Sequence, residues 1–348
     1  MKKPPRSNID NPHKLRISPS LLKQAFRCQY AASLRIMPDK NGERHKPHFS
    51  EQSQNSRNHG IYFEAVLTGK DVSHEKASFQ MWLARNSKDD HNVKSRIEKA
   101  GEQTAKDYLL KDRPYQTGVW LEWEFEDFIL HGEADYIGWV NNKDPFNEGT
   151  FESVMDAKLT ADISYVWEIG GNATIEQYMQ SPIYSFLYSL QESSQPEMLM
   201  DAIKLYKAGK YGKCRALCKE YERTTVVLPA SYLIYEQKGL PQGVKPNVAF
   251  QTITCNAEDF VVIYMTILAM KEDYWDVLRM HGNRYNPQKE HLVQPNEHKC
   301  LGHGRLLEQK GRCPFLGYCP YGRKLLTSRP AIALRDLLQE YSPIYQID

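Results

Sequence analysis

The chain has 348 residues, of which 41% are hydrophobic, so it is long enough and apolar enough to bury a sizeable core. Its formal net charge is only +2, so any binding of nucleic acid has to depend on local patches. The longest apolar runs are too short for a membrane span, and Met1 to Arg6 lack the apolar core of a signal peptide. We therefore expect a soluble protein of a reducing compartment, such as the cytoplasm of a bacterium or of a phage host.

The first third of the chain is predicted to be mainly helical. Residues 1–16 are polar and contain proline, which is typical of a flexible tail, and Ser18 is a suitable N-cap for the helix that follows it. The predicted helices span residues 19–34, 60–69 and 76–110, and a polar, turn-rich loop is predicted over residues 39–57.

Alternating apolar and polar residues predict strands in the middle of the chain, with helices after them. The predicted elements are a strand over 119–128, a hairpin over 128–140, a strand over 150–159, a helix over 174–190, strands at 225–228 and 248–255, and helices over 257–281 and 331–340. This mixture predicts an α/β fold, either as one large domain with insertions or, by length alone, as two domains.

Two of the predicted strands carry a candidate active site. Gly132 to Asp135 ends in an acid, and Asp156-Ala157-Lys158 places a carboxylate and a lysine on one strand face, since residues i and i+2 point the same way. Mg²⁺ prefers oxygen ligands, and a bound metal activates water and neutralises phosphoryl charge. Two carboxylates and a lysine are therefore suited to phosphodiester hydrolysis. Taken alone, however, Asp-x-Lys is very common and is more typical of a surface ion pair on an exposed strand.

Two further motifs flank these strands. Gly60 to Glu64 lies upstream at a predicted helix, and Gln180 to Tyr184 lies downstream in an apolar run. The chain order is thus G-x-x-x-E, G-x-x-D, D-x-K and Q-x-x-x-Y. This order resembles that of the RecB-like nucleases of the PD-(D/E)xK superfamily over residues 17–323. The resemblance implies a restriction-endonuclease-like core, in which a mixed central sheet is flanked by helices.

The resemblance also implies a role for each motif residue. Mg²⁺ or Mn²⁺ would be held by four residues, namely Glu64, Asp135, Asp156 and, through its carbonyl, Ala157. Lys158 would position or activate the attacking water and stabilise developing negative charge. Gln180 and Tyr184 would support the substrate side. Many relatives have His in place of Glu64; because His59 precedes the glycine of the motif, the role is assigned to Glu64.

The cysteines form a second pattern. Of the seven, one stands near the N-terminus and three lie close together near the C-terminus: Cys28, Cys300, Cys313 and Cys319. This distribution resembles the iron–sulfur subgroup of these nucleases, which includes the AddB subunit and the CRISPR-associated adaptation nucleases. The resemblance implies that four thiolates bind a [4Fe–4S] cluster. The cluster would close the helical N-terminal segment and the cysteine-rich C-terminal segment on each other.

Other interpretations of the cysteines remain open. Zinc could be bound by Cys300, Cys313, Cys319 and His303, because Cys300-x2-His303 has a suitable spacing. The thiols could instead be reduced and buried in the core. An odd number of cysteines argues against a disulfide framework. The remaining three are Cys214, Cys218 and Cys255, for which positions in the core or on the surface suffice.

A basic run in the third quarter of the chain is a candidate DNA contact. Its cations are Lys204, Lys207, Lys210, Lys213, Arg215, Lys219 and Arg223, interleaved with Tyr206, Tyr211 and Tyr221. Cations along a groove can follow a phosphate backbone, and aromatic rings can stack on unpaired bases. A solvated helix face is the alternative interpretation.

The sequence thus predicts a metal-dependent deoxyribonuclease, an exonuclease that acts on DNA ends or single strands in recombination, repair or phage DNA metabolism. A non-catalytic DNA-binding or recombination partner on the same fold and a structure-selective endonuclease are the alternatives. No P-loop is present, so any motor would be a separate helicase or recombination protein. The predicted domain covers residues 17–323, between the tail over 1–16 and a C-terminal helical tail over 324–348.

Overall fold

The structure, a computed structural model, describes residues 14–27, 32, 35, 51–143, 148–160, 179–236, 248–272, 279–280 and 284–285. The chain divides into two compact units, one from residues 1–54 and 268–348 and the other from residues 55–267. The predicted boundaries at residues 17 and 323 remain predictions. Within the described ranges, no helix is long and apolar enough to cross a membrane.

In the smaller unit, strand β1 (Arg16–Ile17) precedes helix α1 (Pro19–Arg27). The Ser18 hydroxyl accepts a hydrogen bond from the Leu21 N–H at 3.3 Å, which confirms the predicted N-cap. Two short strands, Arg279–Met280 and Arg284–Tyr285, pair antiparallel. The predicted helix over 257–281 is therefore wrong at its C-terminal end, because residue 279 already belongs to a strand.

A mixed sheet forms the centre of the larger unit. Its strands are β2 (Tyr115–Glu124), β3 (Ile129–Asn142), β4 (Gly149–Thr160), β5 (Ala230–Glu236) and β6 (Val248–Ile253). They are hydrogen-bonded in that order, and all pairs are antiparallel except β4 with β5, which is parallel. The predicted mixed central sheet of an α/β fold is thereby confirmed.

The helices that follow α1 are α2 (Glu51–Thr68), α3 (Ala77–Leu83), α4 (Lys88–Tyr108), α5 (Gln180–Glu192), α6 (Pro196–Lys207), α7 (Tyr211–Thr224) and α8 (Ala257–Met270). The loop predicted up to residue 57 is wrong at its end, since α2 begins at Glu51. The helix predicted over 76–110 is two helices, because Ser87 accepts a hydrogen bond from the Asp90 N–H at 3.1 Å and caps the start of α4.

Strand β3 is a single long strand where a hairpin was predicted. It contains Gly132 and Gly138, although glycine is common in turns. Gly138 instead permits close packing, because a Cβ atom there would lie 2.7 Å from the Tyr115 Cβ on the neighbouring strand. The continuous strand can therefore pair with both β2 and β4.

Helices cover both faces of this sheet. Phe63 of α2 and Ile97 of α4 belong to a buried apolar cluster that includes Leu233 of β5. The preceding strand residue, Tyr232, accepts a hydrogen bond through its hydroxyl oxygen from the Ser181 N–H of α5 at 2.9 Å. Because successive side chains on a strand point to opposite faces, α5 lies on the face opposite α2 and α4.

Helix α5 is fastened to the sheet by buried serines spaced one helical turn apart. Ser181 donates to the Ser231 carbonyl at 2.8 Å, and Ser185 donates to the Leu228 carbonyl. Small side chains allow close approach, and each buried hydroxyl has the partner that its burial requires. These bonds fix the first turn of α5 beside β4 and β5.

Candidate metal centre

Two aspartates meet where β3 and β4 begin to separate. The antiparallel pairing of these strands ends at Tyr136 with Met155, and the next residues in register are Asp135 and Asp156. Both side chains are buried. Asp135 Oδ2 accepts a hydrogen bond from the Ala157 N–H at 2.8 Å, which joins the two predicted motifs across the sheet.

Lys158 lies on the same side of β4 as Asp156, as the i, i+2 spacing predicts. Its ammonium forms an ion pair with Asp156 Oδ2. The Asp156 side chain is 1% exposed and that of Lys158 is 27% exposed, so the interpretation as a surface ion pair is wrong. Burial acts to lower the pKa of Lys158, but Asp156 and Asp135 outweigh it and the pKa is raised. The lysine is therefore a cation at neutral pH.

The surroundings of Asp135 disfavour its charged form. Its pKa is raised well above its usual range, chiefly by burial and then by the neighbouring Glu64 and Asp156 carboxylates. The ammonium groups of Lys158 and Lys70 act in the opposite direction. Glu64 is thus within electrostatic reach of Asp135.

Two residues that sequence reasoning missed complete this group. The Lys70 ammonium lies 2.5 Å from Glu64 Oε1 and 2.9 Å from Glu133 Oε1. Glu133 could have been found, because it stands two residues before Asp135 and therefore faces the same side of β3. Lys70 reaches the site through a turn at the end of α2, and no sequence motif predicts its position there.

Gln180 contacts the aspartate of β4, and Tyr184 contacts Gln180. The Gln180 amide donates hydrogen bonds to Asp156 Oδ1 at 2.9 Å and to the Tyr184 hydroxyl at 3.0 Å. Burial, followed by the charges of Asp156 and Asp135, raises the pKa of Tyr184 well above its usual value, so the phenol remains neutral. The structure thus brings both residues to the predicted site.

The donor set suits a divalent cation by its chemistry. Among the described residues, no three His, Cys, Asp or Glu side chains stand close enough in this arrangement to hold a metal ion. Instead, the carboxylates of Glu64, Glu133 and Asp156 contact two lysine ammonium groups. When ionised, the four acids and two lysines carry two net negative charges, which one divalent ion would balance. Carboxylate oxygens are the ligands that Mg²⁺ and Mn²⁺ prefer.

The cysteines predicted to bind a cluster lie outside the described residues, as does His303. The [4Fe–4S] cluster and the zinc alternative therefore stay predictions. Cys214 and Cys218 are buried on α7, and burial raises the pKa of Cys218 to about 12. These two cysteines are therefore neutral thiols in the core. The sequence had left both a core and a surface position open for them.

The basic run forms helices α6 and α7, which are separated by Gly209 with a φ of 70°. Four of its cations contact acids at 2.8–3.2 Å, in the pairs Lys204–Asp201, Lys207–Asp127, Arg215–Glu258 and Arg223–Glu220. Tyr221 is fully buried and donates to the Ser189 carbonyl, so its predicted role in base stacking is wrong. Tyr211 is 61% exposed and packs edge-on against Tyr206.

The chain has a distant likeness to solved structures. No protein-family model and no curated protein matches the sequence. The structure is similar to a crystal structure of a "Putative exonuclease" from Eubacterium rectale, with 14% sequence identity, 97% of each chain covered and a TM-score of 0.40. A likeness at this level does not assign a reaction, so the function has to be argued from the site residues.

Proposed function

We propose that this chain is a metal-dependent deoxyribonuclease built on a restriction-endonuclease-like core. The observation that carries the proposal is the pair of buried aspartates, Asp135 and Asp156, set side by side with the Lys158 ammonium on one of them. Burying like charges together is costly, and strongly raised pKa values of this kind cluster at functional sites. A divalent ion would relieve the repulsion between the aspartates.

The ligands of that ion would be Glu64, Asp135, Asp156 and the Ala157 carbonyl. The Ala157 N–H, which belongs to the peptide bond that follows Asp156, donates a hydrogen bond to the Asp135 carboxylate. This peptide bond therefore links the two aspartates. When bound, the ion lowers the pKa of a coordinated water and neutralises charge on phosphoryl oxygens.

The protein residues supply positioning and charge. Because its pKa is raised, Lys158 acts as a cation beside the scissile phosphate, where it stabilises developing negative charge, and not as a general base. Gln180 holds Asp156 Oδ1 and so fixes the orientation of this carboxylate. The neutral Tyr184 hydroxyl, which accepts from Gln180, keeps a proton to donate on the substrate side.

The proposed substrate is DNA at its ends or in single-stranded form. Tyr206 and Tyr211 offer aromatic surface, and exposed lysines stand near them in the sequence on α7. Stacking on bases and cations along the backbone is how single strands are bound without sequence preference. A separate helicase or recombination protein would then supply strands to the nuclease.

We test this proposal with linear single-stranded, linear duplex and covalently closed DNA, all labelled, in Mg²⁺, in Mn²⁺ and in EDTA. The wild-type chain should degrade the linear DNA with either metal and leave it intact in EDTA, while Asp156→Asn should be inactive. Cutting of the closed circle would indicate an endonuclease. Binding without cleavage in any metal would indicate a non-catalytic DNA-binding partner and would refute the proposal.

We further propose a [4Fe–4S] cluster on Cys28, Cys300, Cys313 and Cys319, which rests on the sequence pattern alone. Anaerobically purified protein should then be brown, with absorbance near ~400 nm. Replacing Cys313 by Ser should bleach it, whereas Cys255→Ser should not. Colourless protein that contains zinc would refute the cluster and favour the zinc alternative.

A further inference from the structure

The Lys70 side chain is seated by two glycines in the left-handed region of backbone conformation. Gly69, with a φ of 82°, ends α2 and donates its N–H to the Ala65 carbonyl at 2.8 Å. The chain turns there, so Lys70 folds back toward Glu64 in the last turns of the helix. Gly118 of β2 has a φ of 59°, and a Cβ atom there would lie 3.2 Å from Lys70 Cε. A larger residue at position 118 would therefore crowd the lysine.

This seat places the ammonium beside the aspartates. Gly118 lies between the registered pairs Thr117 with Tyr136 and Val119 with Ala134, so it stands across from Asp135. The ammonium bridges Glu64 and Glu133, and its side chain is only 13% exposed. A monovalent cation thus joins two carboxylates next to the proposed metal ligands.

We propose that Lys70 takes the place of a second divalent ion, so that the site binds one ion between Glu64, Asp135 and Asp156. In two-metal nuclease sites the ions lie about 3.5–4 Å apart and share carboxylates. Here Glu64 is shared between the proposed ion and the Lys70 ammonium. The inference rests on the proposed function, because it presumes that the site binds a divalent ion.

Charge balance supports one ion when Lys70 is present and all four acids are ionised, and loss of Lys70 removes the cation that bridges two of these acids. With both lysines, the four acids leave two negative charges, which a single divalent ion neutralises. Removing the Lys70 charge leaves three, and it leaves Glu64 and Glu133 close together without their bridging cation. Carboxylates in such a pair repel unless a cation replaces the one that was lost. A second ion bound between them would replace the bridging contacts that the Lys70 ammonium makes in the wild type.

The test is calorimetric titration of Mn²⁺ into the full chain, freed of metal with EDTA and measured without DNA. Wild-type protein and Lys70→Arg should bind about one ion each at this site, and Lys70→Met should bind about two. The exposed Lys111 provides the matched control, since Lys111→Met loses the same charge elsewhere and should match the wild type. Lys70→Met combined with Glu133→Gln should return to the wild-type number. Using the difference between variants cancels any ion bound elsewhere on the chain.

Each outcome decides the matter. A second ion in the wild type or in Lys70→Arg overturns the inference, as does an unchanged number in folded Lys70→Met. If Lys70 merely anchored the end of α2, its loss would lower the melting temperature without adding an ion. Should Lys70→Met fail to fold, Lys70→Gln, which removes the same charge, is titrated in its place and should bind about two ions. Absence of Mn²⁺ binding by the wild type would instead refute the proposed metal site itself.

Discussion

The chain uses the same residue types in two regions with opposite consequences. In the basic helices, Lys204 pairs with Asp201, and these side chains are 68% and 56% exposed. At the sheet, Lys158 pairs with an Asp156 that is 1% exposed. Water screens the first pair, which contributes about 0–1 kcal/mol to stability. The second pair is not screened, and its neighbour Asp135 has a strongly raised pKa. Burial, more than the motif, distinguishes a candidate site from a surface ion pair.

The largest expected effect is a loss of activity, and it tests the distinction between the buried and the exposed ion pair. Lys158→Ala should lower kcat by about 10²–10³, a typical cost of removing one donor aimed at developing charge. Asp156→Ala should lose activity at least as completely. The rate is measured on end-labelled single-stranded DNA at saturating Mg²⁺, with Lys204→Ala as the exposed control. Equal losses of nuclease activity in Lys158→Ala and Lys204→Ala would show that burial does not distinguish the two regions.

The next effect concerns stability. Asp135→Asn should stabilise the metal-free chain at neutral pH by about 1–2 kcal/mol, because it removes a buried charge repelled by Glu64 and Asp156. The asparagine oxygen can still accept from the Ala157 N–H. Urea unfolding measures the change, and the same variant should be inactive as a nuclease.

The matched control for that variant is Asp201→Asn, which removes an exposed carboxylate. Its stability should stay within about 0.5 kcal/mol of the wild type. A destabilised Asp135→Asn would show that the Asp135 charge is well compensated within the metal-free fold. The Asp135 charge would then give no electrostatic reason for a divalent ion at this site.

A smaller effect follows from the buried thiol of α7. The pKa of Cys218 is raised to about 12 by burial, above an ordinary thiol pKa of about 8.5. The unfolded chain therefore loses this proton first, so the contribution to stability is complete below pH ~8.5 and falls as the pH rises toward 12. The free energy of unfolding should drop by about 1 kcal/mol from pH 8.5 to 9.5.

Cys218→Ala isolates that contribution, since the variant keeps every other titrating group. Its unfolding free energy should be lower at pH 8 but should fall less steeply between pH 8.5 and 9.5. Urea unfolding across this range measures both slopes. Identical slopes for the two proteins would mean that Cys218 does not titrate with the predicted difference between its folded and unfolded states.

The smallest effect tests the basic helices. Lys213→Ala should weaken binding of single-stranded DNA a few-fold whatever its sequence, and should reduce the slope of log K against log salt by about 0.7. The folded stability should not change, because Lys213 is exposed. Fluorescence anisotropy at several salt concentrations measures the slope. Binding that is unaltered at every salt concentration would identify the run as a solvated face.

Much of the site could be predicted because its motifs are local. The Asp-x-Lys strand was predicted over residues 150–159 and spans Gly149–Thr160, and its alternation correctly put Asp156 and Lys158 on one side. Gln180 and Tyr184 are one turn apart on α5, so Gln180 can contact both Tyr184 and Asp156. These predictions were correct because they depended only on the spacing of residues within one strand or one helix.

What the sequence did not predict depends on distant pairing. The parallel strand β5 was placed at residues 225–228 but spans Ala230–Glu236, because its position is set by pairing with β4 across a long connection. Tyr232, which receives the Ser181 N–H, was missed for that reason. Lys70 was missed because its place depends on Gly69 and on Gly118 of another strand.

The central claim is that the buried Asp135 and Asp156 carboxylates form a divalent-metal site together with the partly buried Glu64. The most direct test is thermal unfolding of the EDTA-treated chain at neutral pH with increasing Mn²⁺, beside Asp156→Asn. A ligand that binds the folded state stabilises it by about 2.7 kcal/mol at one hundred times its Kd. The wild-type melting temperature should therefore rise with Mn²⁺, and that of Asp156→Asn should rise far less. Equal rises in both proteins, or none in the wild type, would contradict the claim.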